Sequence, residues 1–480
     1  MTPPGPIISS ATSSALETFK SKYSSAVVGL LACQIDSYLK TLTTKVISCT
    51  EIPKDTTKKA SKGKKETIPE NPAKYEIELA DTTLFPEGGG QPSDTGVIKL
   101  KDSEKEIPVF AVKRNGLTAL HETPEFIASG TDVEVHVNWA RRFDHMQQHT
   151  GQHLLSAILD KRNVPTLSWS MGKTIVPDAI VPTTVSEAVT ALPNFNYIEI
   201  GRKLSQQEID QVQAEINDAI NDCLDIEVKI PDSNQSLATP ESEAIIDPNT
   251  DKGVIRHVTI GSLDNNPCCG THLRSTAHVS ALTLFNHTQS IRGTNCRIFF
   301  LAGNRVVQYA RAANDYLRKV NSTLSCTTED IELKLSELST QLKAAKSAEK
   351  YWSLEMAAKD AHDLKSKIST FAEVPENGYN GVVVYNAKGS MDYFRAVEKE
   401  LGPLEQIKSP SPFVIVFAGG QATESGLIIV AGTSKEAIDD AAKKVKEAVP
   451  DVKGGGKGKW QGKVVSWKTN GIRAIENLFQ

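Results

Sequence analysis

Two short runs hold the side chains most able to do chemistry. His149-Thr150-Gly151-Gln152-His153 sets two imidazoles four residues apart, and Cys268-Cys269-Gly270-Thr271-His272 sets a thiol and an imidazole at the same spacing. Positions i and i+4 share one face of a helix, so His149 and His153 can address one ion. Met146 to Leu159 reads as that helix, with Leu154, Leu155 and Ile158 on its apolar side. Cys268 and His272 follow the turn-like run Asp264-Asn265-Asn266-Pro267 and are expected on a loop. Three imidazoles and one thiolate form an N/S set that suits tetrahedral zinc, with one ion expected per chain. A zinc protease helix would carry His-Glu-x-x-His with the glutamate as base, and Thr150, Gly151 and Gln152 supply no such base. The plain alternatives are unrelated surface histidines, which the second run argues against, and a purely structural zinc.

Arg141 to Ala157 (RRFDHMQQHTGQHLLSA), Asn266 to Leu273 (NPCCGTHL) and, upstream, Leu84 to Pro92 (LFPEGGGQP) resemble the editing domain of alanyl-tRNA synthetases and its free-standing relatives, the AlaX proteins. The order of glycine-rich loop, His-x3-His and Cys-x3-His is that family's order. The resemblance runs from about Gln34 to Lys463 and is greatest to the long AlaX type of alanyl-tRNA editing protein. It implies a hydrolase that acts in trans on mischarged aminoacyl-tRNA, chiefly Ser-tRNA(Ala), with His149, His153, Cys268 and His272 as zinc ligands. An aminoacyl ester beside a free hydroxyl is already labile, so positioning and an activated water suffice. Either all four ligands bind and the ion shapes the pocket, or Cys268 loosens and takes a catalytic part by admitting a water. The rival class is a non-catalytic zinc-containing tRNA-binding or scaffold protein. Loss of a ligand would favour it, and none is lost.

Rejecting alanine, the smaller residue, calls for a site that hydrogen-bonds the serine hydroxyl. The resemblance places that contact in the run Thr166 to Gly172. Some family members carry Gln there, whereas this chain has Trp169 and Ser170, which leaves Ser168 or Ser170 as the expected reader. Glu87, Gly88, Gly89, Gly90 and Gln91 form the expected lid or wall against the substrate, because glycines let backbone approach closely.

The chain has 480 residues, 39% of them hydrophobic, a net charge of −4 and a pI near 6.2, so RNA contact must use local patches rather than a basic surface overall. Seven cysteines form no disulfide framework and fit a reducing compartment. The absence of a long apolar run excludes a helical membrane span, and a cytoplasmic location is expected. A class II aminoacylation domain is not expected ahead of the editing region, since only residues 1–33 precede it.

The fold class expected is α+β, because strands and helices occur without regular βαβ alternation. Residues 1–33 read as a poorly ordered extension and 34–140 as a β-barrel-like domain with the glycine-rich loop. Residues 141–305 read as the zinc-containing α+β editing domain, 306–372 as a helical connector and 373–480 as a C-terminal α/β domain. Pro53 to Pro72 reads as a lysine-rich solvated loop. Ile331, Leu335, Leu338, Leu342, Ala345, Trp352 and Met356 keep a 4,3 spacing, either an intramolecular hairpin or a homodimer seam. In the last domain, Lys453, Lys457, Lys459 and Trp460 lie in a glycine-rich basic run that can follow phosphates and stack on a base, or else be a plain flexible loop.

Overall fold

The structure, a computed structural model, describes residues 25–53, 73–101, 103, 105–172, 195–229, 256–371, 378–421, 424–467 and 471–479. The expectations for residues 1–24 and for the lysine-rich stretch at 54–72 lie outside these. Two units divide the chain, residues 1–323 and 324–480. The barrel-like and editing regions both lie in the first of these.

After a short helix α1 (Ala32–Ile35), alternating apolar residues build β1 (Thr41–Glu51), β2 (Tyr75–Leu79), β3 (Gly96–Leu100), β4 (Glu106–Val109), β5 (Ala111–Asn115), β6 (Thr118–Thr123) and β7 (Asp132–Val137). They pair antiparallel in the order β4-β3-β7-β1-β2-β6-β5. The sheet nearly closes, because Phe110 N, between β4 and β5, donates to Glu122 O on β6. Ile77, Ile98, Val133 and Val135 are fully buried inside it. Residues 25–33 correct the expected extension. Val27, Val28, Leu30, Leu31 and Cys33 are all at most 4% exposed, so this apolar run is a wall of the barrel core.

The second half of unit 1 starts with α2 (Trp139–Asp160), capped by Asn138, whose side chain accepts from Arg141 N. Its flanks are β8 (Thr166–Ser170), β9 (Asn196–Ile200), α3 (Gln206–Asn221), β10 (Ile226–Lys229), β11 (His257–Ile260), β12 (Asp264–Pro267), β13 (Leu282–Ser290), β14 (Cys296–Ala302) and α4 (Asn304–Leu324). One antiparallel sheet runs β13-β14-β9-β8 and a smaller one β10-β11-β12. Leu154, Leu155 and Ile158 of α2 pack with Ile198, Val212, Ile216, Val258 and Phe300. The run Asp264–Pro267, expected as a turn, is a strand paired to β11. It is the edge of its sheet, where a terminal proline is tolerated. Arg142 of α2 is buried against Asp94 and also donates to Thr83 O and Ser37 O, which pins α2 to the barrel.

Unit 2 contains α5 (Ile331–Ser369), β15 (Asn380–Asn386), α6 (Met391–Leu401), β16 (Phe413–Gly419), β17 (Gly426–Gly432), α7 (Lys435–Ala448), β18 (Val452–Gly455), β19 (Trp460–Val464) and α8 (Gly471–Leu478). The sheet order is β15-β16-β17-β19-β18, parallel between β15 and β16 and antiparallel elsewhere. Every residue of β16 is buried, because α7 and α8 cover one face of the sheet while α6 and the end of α5 cover the other. The lysine-glycine run is not a loop but mostly the β18–β19 hairpin. Along α5, Ala357, Ala361, Leu364 and Ile368 are buried in this unit, whereas Leu335, Leu338, Leu342, Trp352 and Met356 of the expected seam are exposed.

Candidate metal centre

Helix α2 carries His149 and His153 on one face, and the chain leaving β12 brings Cys268 and His272 to meet them. The four ligand atoms lie within 4.8 Å of one another. Nε2 of His149 is 3.4 Å from the Cys268 sulfur, and Nε2 of His272 is 3.2 Å from it. Tetrahedral zinc with these donors needs ligand separations of roughly 3.3–3.6 Å, close to these two nitrogen–sulfur distances, so the set could hold the ion.

Each histidine uses its other nitrogen to hold its ring. Nδ1 of His149 meets Gln91 Oε1 at 2.9 Å, Nδ1 of His153 meets Asp264 Oδ2 at 2.9 Å, and Nδ1 of His272 meets Thr150 Oγ1 at 3.3 Å. The Gln91 and Asp264 oxygens can accept an Nδ1–H, whereas the Thr150 hydroxyl can donate or accept; each partner holds its ring in place. Gly270 N–H points at the Cys268 sulfur, 3.4 Å away. Burial pushes the Cys268 thiol up, but the imidazoles of His149, His272 and His153 crowded around its sulfur outweigh this and hold the thiol well below its ordinary value. Burial opposes a charged His153, yet Asp264 and Cys268 outweigh it and raise its pKa to about 9. For His272 burial dominates and its pKa falls to about 3. Cys269 faces away from the cluster toward Gly89, and burial raises its thiol.

The barrel supplies a wall. Gly88 and Gln91 exchange backbone hydrogen bonds, and Gly89 (φ +61°) and Gly90 (φ +81°) make the tight turn between them. A Cβ on Gly89 would stand 2.6 Å from the Cys269 sulfur, and one on Gly90 2.8 Å from the Trp169 ring. Glu87, Gly89 and Gly90 are exposed, whereas Gln91 is fully buried. Trp169 lies over the His149 ring, centroids 4.9 Å apart. Behind the cluster, buried Arg256 donates to Gln34 O and to Gly270 O, and the Gln34 amide donates to Cys269 O.

Strand β8 separates its residues differently from the expectation. Trp169 pairs with Ile198 and Thr166 with Ile200, on the buried face, while Ser168 pairs with Glu199 and Ser170 with Tyr197, on the outer face. A bulge at Leu167 shifts the register, so Thr166 and Trp169 both point inward. Ser168 Oγ turns to Glu199 at 3.4 Å. Neither serine is brought to the cluster. Thr166 Oγ1 instead meets Ser156 Oγ at 2.7 Å, and Ser156 accepts from Gln152 Nε2 at 2.8 Å. Ser156 lies on the ligand face of α2, one turn beyond His153.

In unit 2, Trp460 is 5% exposed in the core and does not present a stacking face. Lys459 pairs with Glu398 at 2.5 Å. Lys453 and Lys457 are exposed on the hairpin. Sequence reasoning missed Asp264, Thr150, Thr166 and Arg256. Only the polar character of the run at 264–266 hinted at the first.

Residues 255–299, which hold Cys268 and His272, match the family described as the threonyl and alanyl tRNA synthetase second additional domain. The class is thus that of synthetase-related tRNA proteins with a His/Cys cluster able to hold a metal ion. The chain is 35% identical to the putative alanyl-tRNA editing protein alaX of Saccharomyces cerevisiae, over 92% of its own length and 94% of that protein's. It is 31% identical to the alanyl-tRNA editing protein Aarsd1 of Mus musculus, over 90% and 93% respectively. It also aligns with the alanine–tRNA ligase of Pyrococcus abyssi at 26% identity, over 84% of this chain and 41% of the ligase. The chain belongs to the family of alanyl-tRNA editing proteins. Among the described residues no helix is long and apolar enough to cross a membrane.

Proposed function

We propose that this chain is a zinc-containing aminoacyl-tRNA hydrolase, a carboxylic ester hydrolase that deacylates Ser-tRNA(Ala) in trans and works in the cytoplasm. The observation that carries the reading is the complete three-histidine, one-cysteine cluster in a chain that aligns along nearly its full length with alanyl-tRNA editing proteins.

His149, His153, Cys268 and His272 would hold the ion, which when bound supplies Lewis-acid polarisation and shapes the pocket. His149, His153 and His272 are all buried, and Cys268 is the most open of the four, so substrate approaches on the Cys268 side. The Glu87–Gly90 turn and Trp169 form the facing wall. The inward hydroxyls of Thr166 and Ser156, backed by Gln152, replace Ser168 and Ser170 as the reader of the serine side chain. Alanine has no hydroxyl to join this Thr166–Ser156–Gln152 network and forgoes the contact that serine makes. The wall holds the labile ester in place, and a water admitted on the open Cys268 side breaks its acyl–oxygen bond to give free serine and the free tRNA hydroxyl, so that positioning carries much of the rate. Lys453 and Lys457 contact the tRNA backbone away from the acceptor end.

The test is deacylation by purified protein. Ser-tRNA(Ala) should be cleared and Ala-tRNA(Ala) spared. Zinc-loaded protein that leaves Ser-tRNA(Ala) charged would instead favour the non-catalytic tRNA-binding or scaffold reading.

A further inference from the structure

Gln91 belongs to the barrel, yet its side chain ends inside the metal centre. The residue is fully buried. Its Oε1 accepts from the backbone N–H of Thr271 at 3.0 Å and lies 2.9 Å from His149 Nδ1. Its Nε2 donates to Thr271 Oγ1 at 2.8 Å. A backbone N–H can only donate, so the atom facing it is the amide oxygen. The His149 nitrogen beside that same oxygen must then also be a donor. This fixes His149 as the Nδ1–H tautomer and leaves the Nε2 lone pair aimed at the Cys268 sulfur.

The same side chain grips the other half of the centre, since Thr271 sits between Cys268 and His272. One amide thus ties a ligand on α2 to the loop that carries the other two ligand types. Space around it is tight. A Cβ on Gly270 would lie 2.2 Å from the His149 ring and 2.8 Å from Gln91 Oε1. The partners of His153 and His272, Asp264 and Thr150, come from the editing region itself. Gln91 alone among the three reaches in from the barrel, 58 residues before His149.

We propose that Gln91 is a positioning residue for the metal centre. It sets the His149 tautomer and the register of the Cys268–His272 loop, so that metal affinity depends on the barrel's glycine turn. This rests on the metal reading of the cluster.

The experiment uses the full chain with Gln91→Met, which keeps the volume but has no acceptor, and Gln91→Glu, which keeps both acceptor contacts while the Thr271 hydroxyl turns to donate. Zinc affinity is read by chelator competition, ligand geometry by the visible absorption of the cobalt(II)-loaded protein, and folding by thermal melting. Gln91→Met should bind zinc about 10- to 100-fold more weakly and shift the cobalt bands, while Gln91→Glu stays near wild type in both. Wild-type affinity and spectrum in Gln91→Met would overturn the proposal. So would equal losses of affinity in both variants accompanied by equal losses of melting temperature, the mark of a merely structural role. A wild-type chain that binds neither zinc nor cobalt would instead bring down the metal reading beneath it.

Discussion

At the scale of single residues, the chemistry is set by which nitrogen of each imidazole is free. Removing His149 or His272 leaves three donors, so His149→Ala and His272→Ala should each cut zinc below the roughly one ion per chain expected of the wild type. Elemental analysis checks this, and full retention in a His149→Ala/His153→Ala double variant would remove the site. Thr166→Val keeps shape and loses the hydroxyl beside Ser156. It should slow Ser-tRNA(Ala) deacylation about 5- to 150-fold, the cost of a useful hydroxyl contact of ~1–3 kcal/mol, with zinc content unchanged. Ser168→Ala and Ser170→Ala should leave the rate near wild type. The reverse ranking would return the reader to the outer face of β8. The gathering of His149, His153, Cys268 and His272 was legible from spacing, because helical periodicity puts the first pair on one face and the repeated spacing suggests the second. Thr166 was not legible, because one bulged residue at Leu167 exchanges the faces of everything after it and leaves no mark in composition.

At the scale of elements, turns and strands deliver the ligands, and each delivery has a cost if disturbed. Gly270 has no room for a side chain beside His149, so Gly270→Ala should displace the ring and lower the zinc-to-protein ratio, with far-ultraviolet circular dichroism preserved. An unchanged ratio would show that the loop can yield. In the barrel, buried His121 bridges Thr82 Oγ1 at 2.8 Å and Ile77 O at 2.9 Å. Burial pushes its pKa down to about 4 from an ordinary 6.5. The unfolded chain therefore binds the extra proton first as pH falls. Stability is full above about 6.5 and declines toward pH 4, by on the order of 3 kcal/mol from this group. Urea melts across that range should show the decline, and His121→Asn should flatten it. An equal slope in the variant would assign the effect to another group. Strand β7 is legible in the sequence, because Val133, Val135 and Val137 alternate with polar residues. Strand β12 could not, because Asp264-Asn265-Asn266-Pro267 has turn chemistry and becomes a strand only through its pairing to β11.

At the scale of the whole molecule, unit 1 holds the candidate centre and unit 2 holds exposed basic residues on a β-hairpin. Lys453→Glu with Lys457→Glu should weaken tRNA binding and flatten its dependence on salt, by about one unit of slope per lost phosphate contact. Filter binding at several salt concentrations checks this, and an unchanged slope would withdraw the hairpin from the RNA surface. Trp460 showed why such a run misleads. Glycines and lysines read as a loop, while the indole is recruited by a core that forms only once β17 and β19 pair. The clasp between α1 and the cysteine loop also governs timing. Ser37 bonds to His272 O and Gln34 to Cys269 O, each across 235 residues of chain. Contacts this distant in sequence close late. On a ribosome adding ~5–20 residues per second, the 119 residues from His149 to Cys268 take about 6–24 s to emerge. Through that interval the barrel and His149 have emerged while Cys268 has not. A metal that met the chain then would find an incomplete set of donors, and the full cluster exists only once Cys268 and His272 have followed.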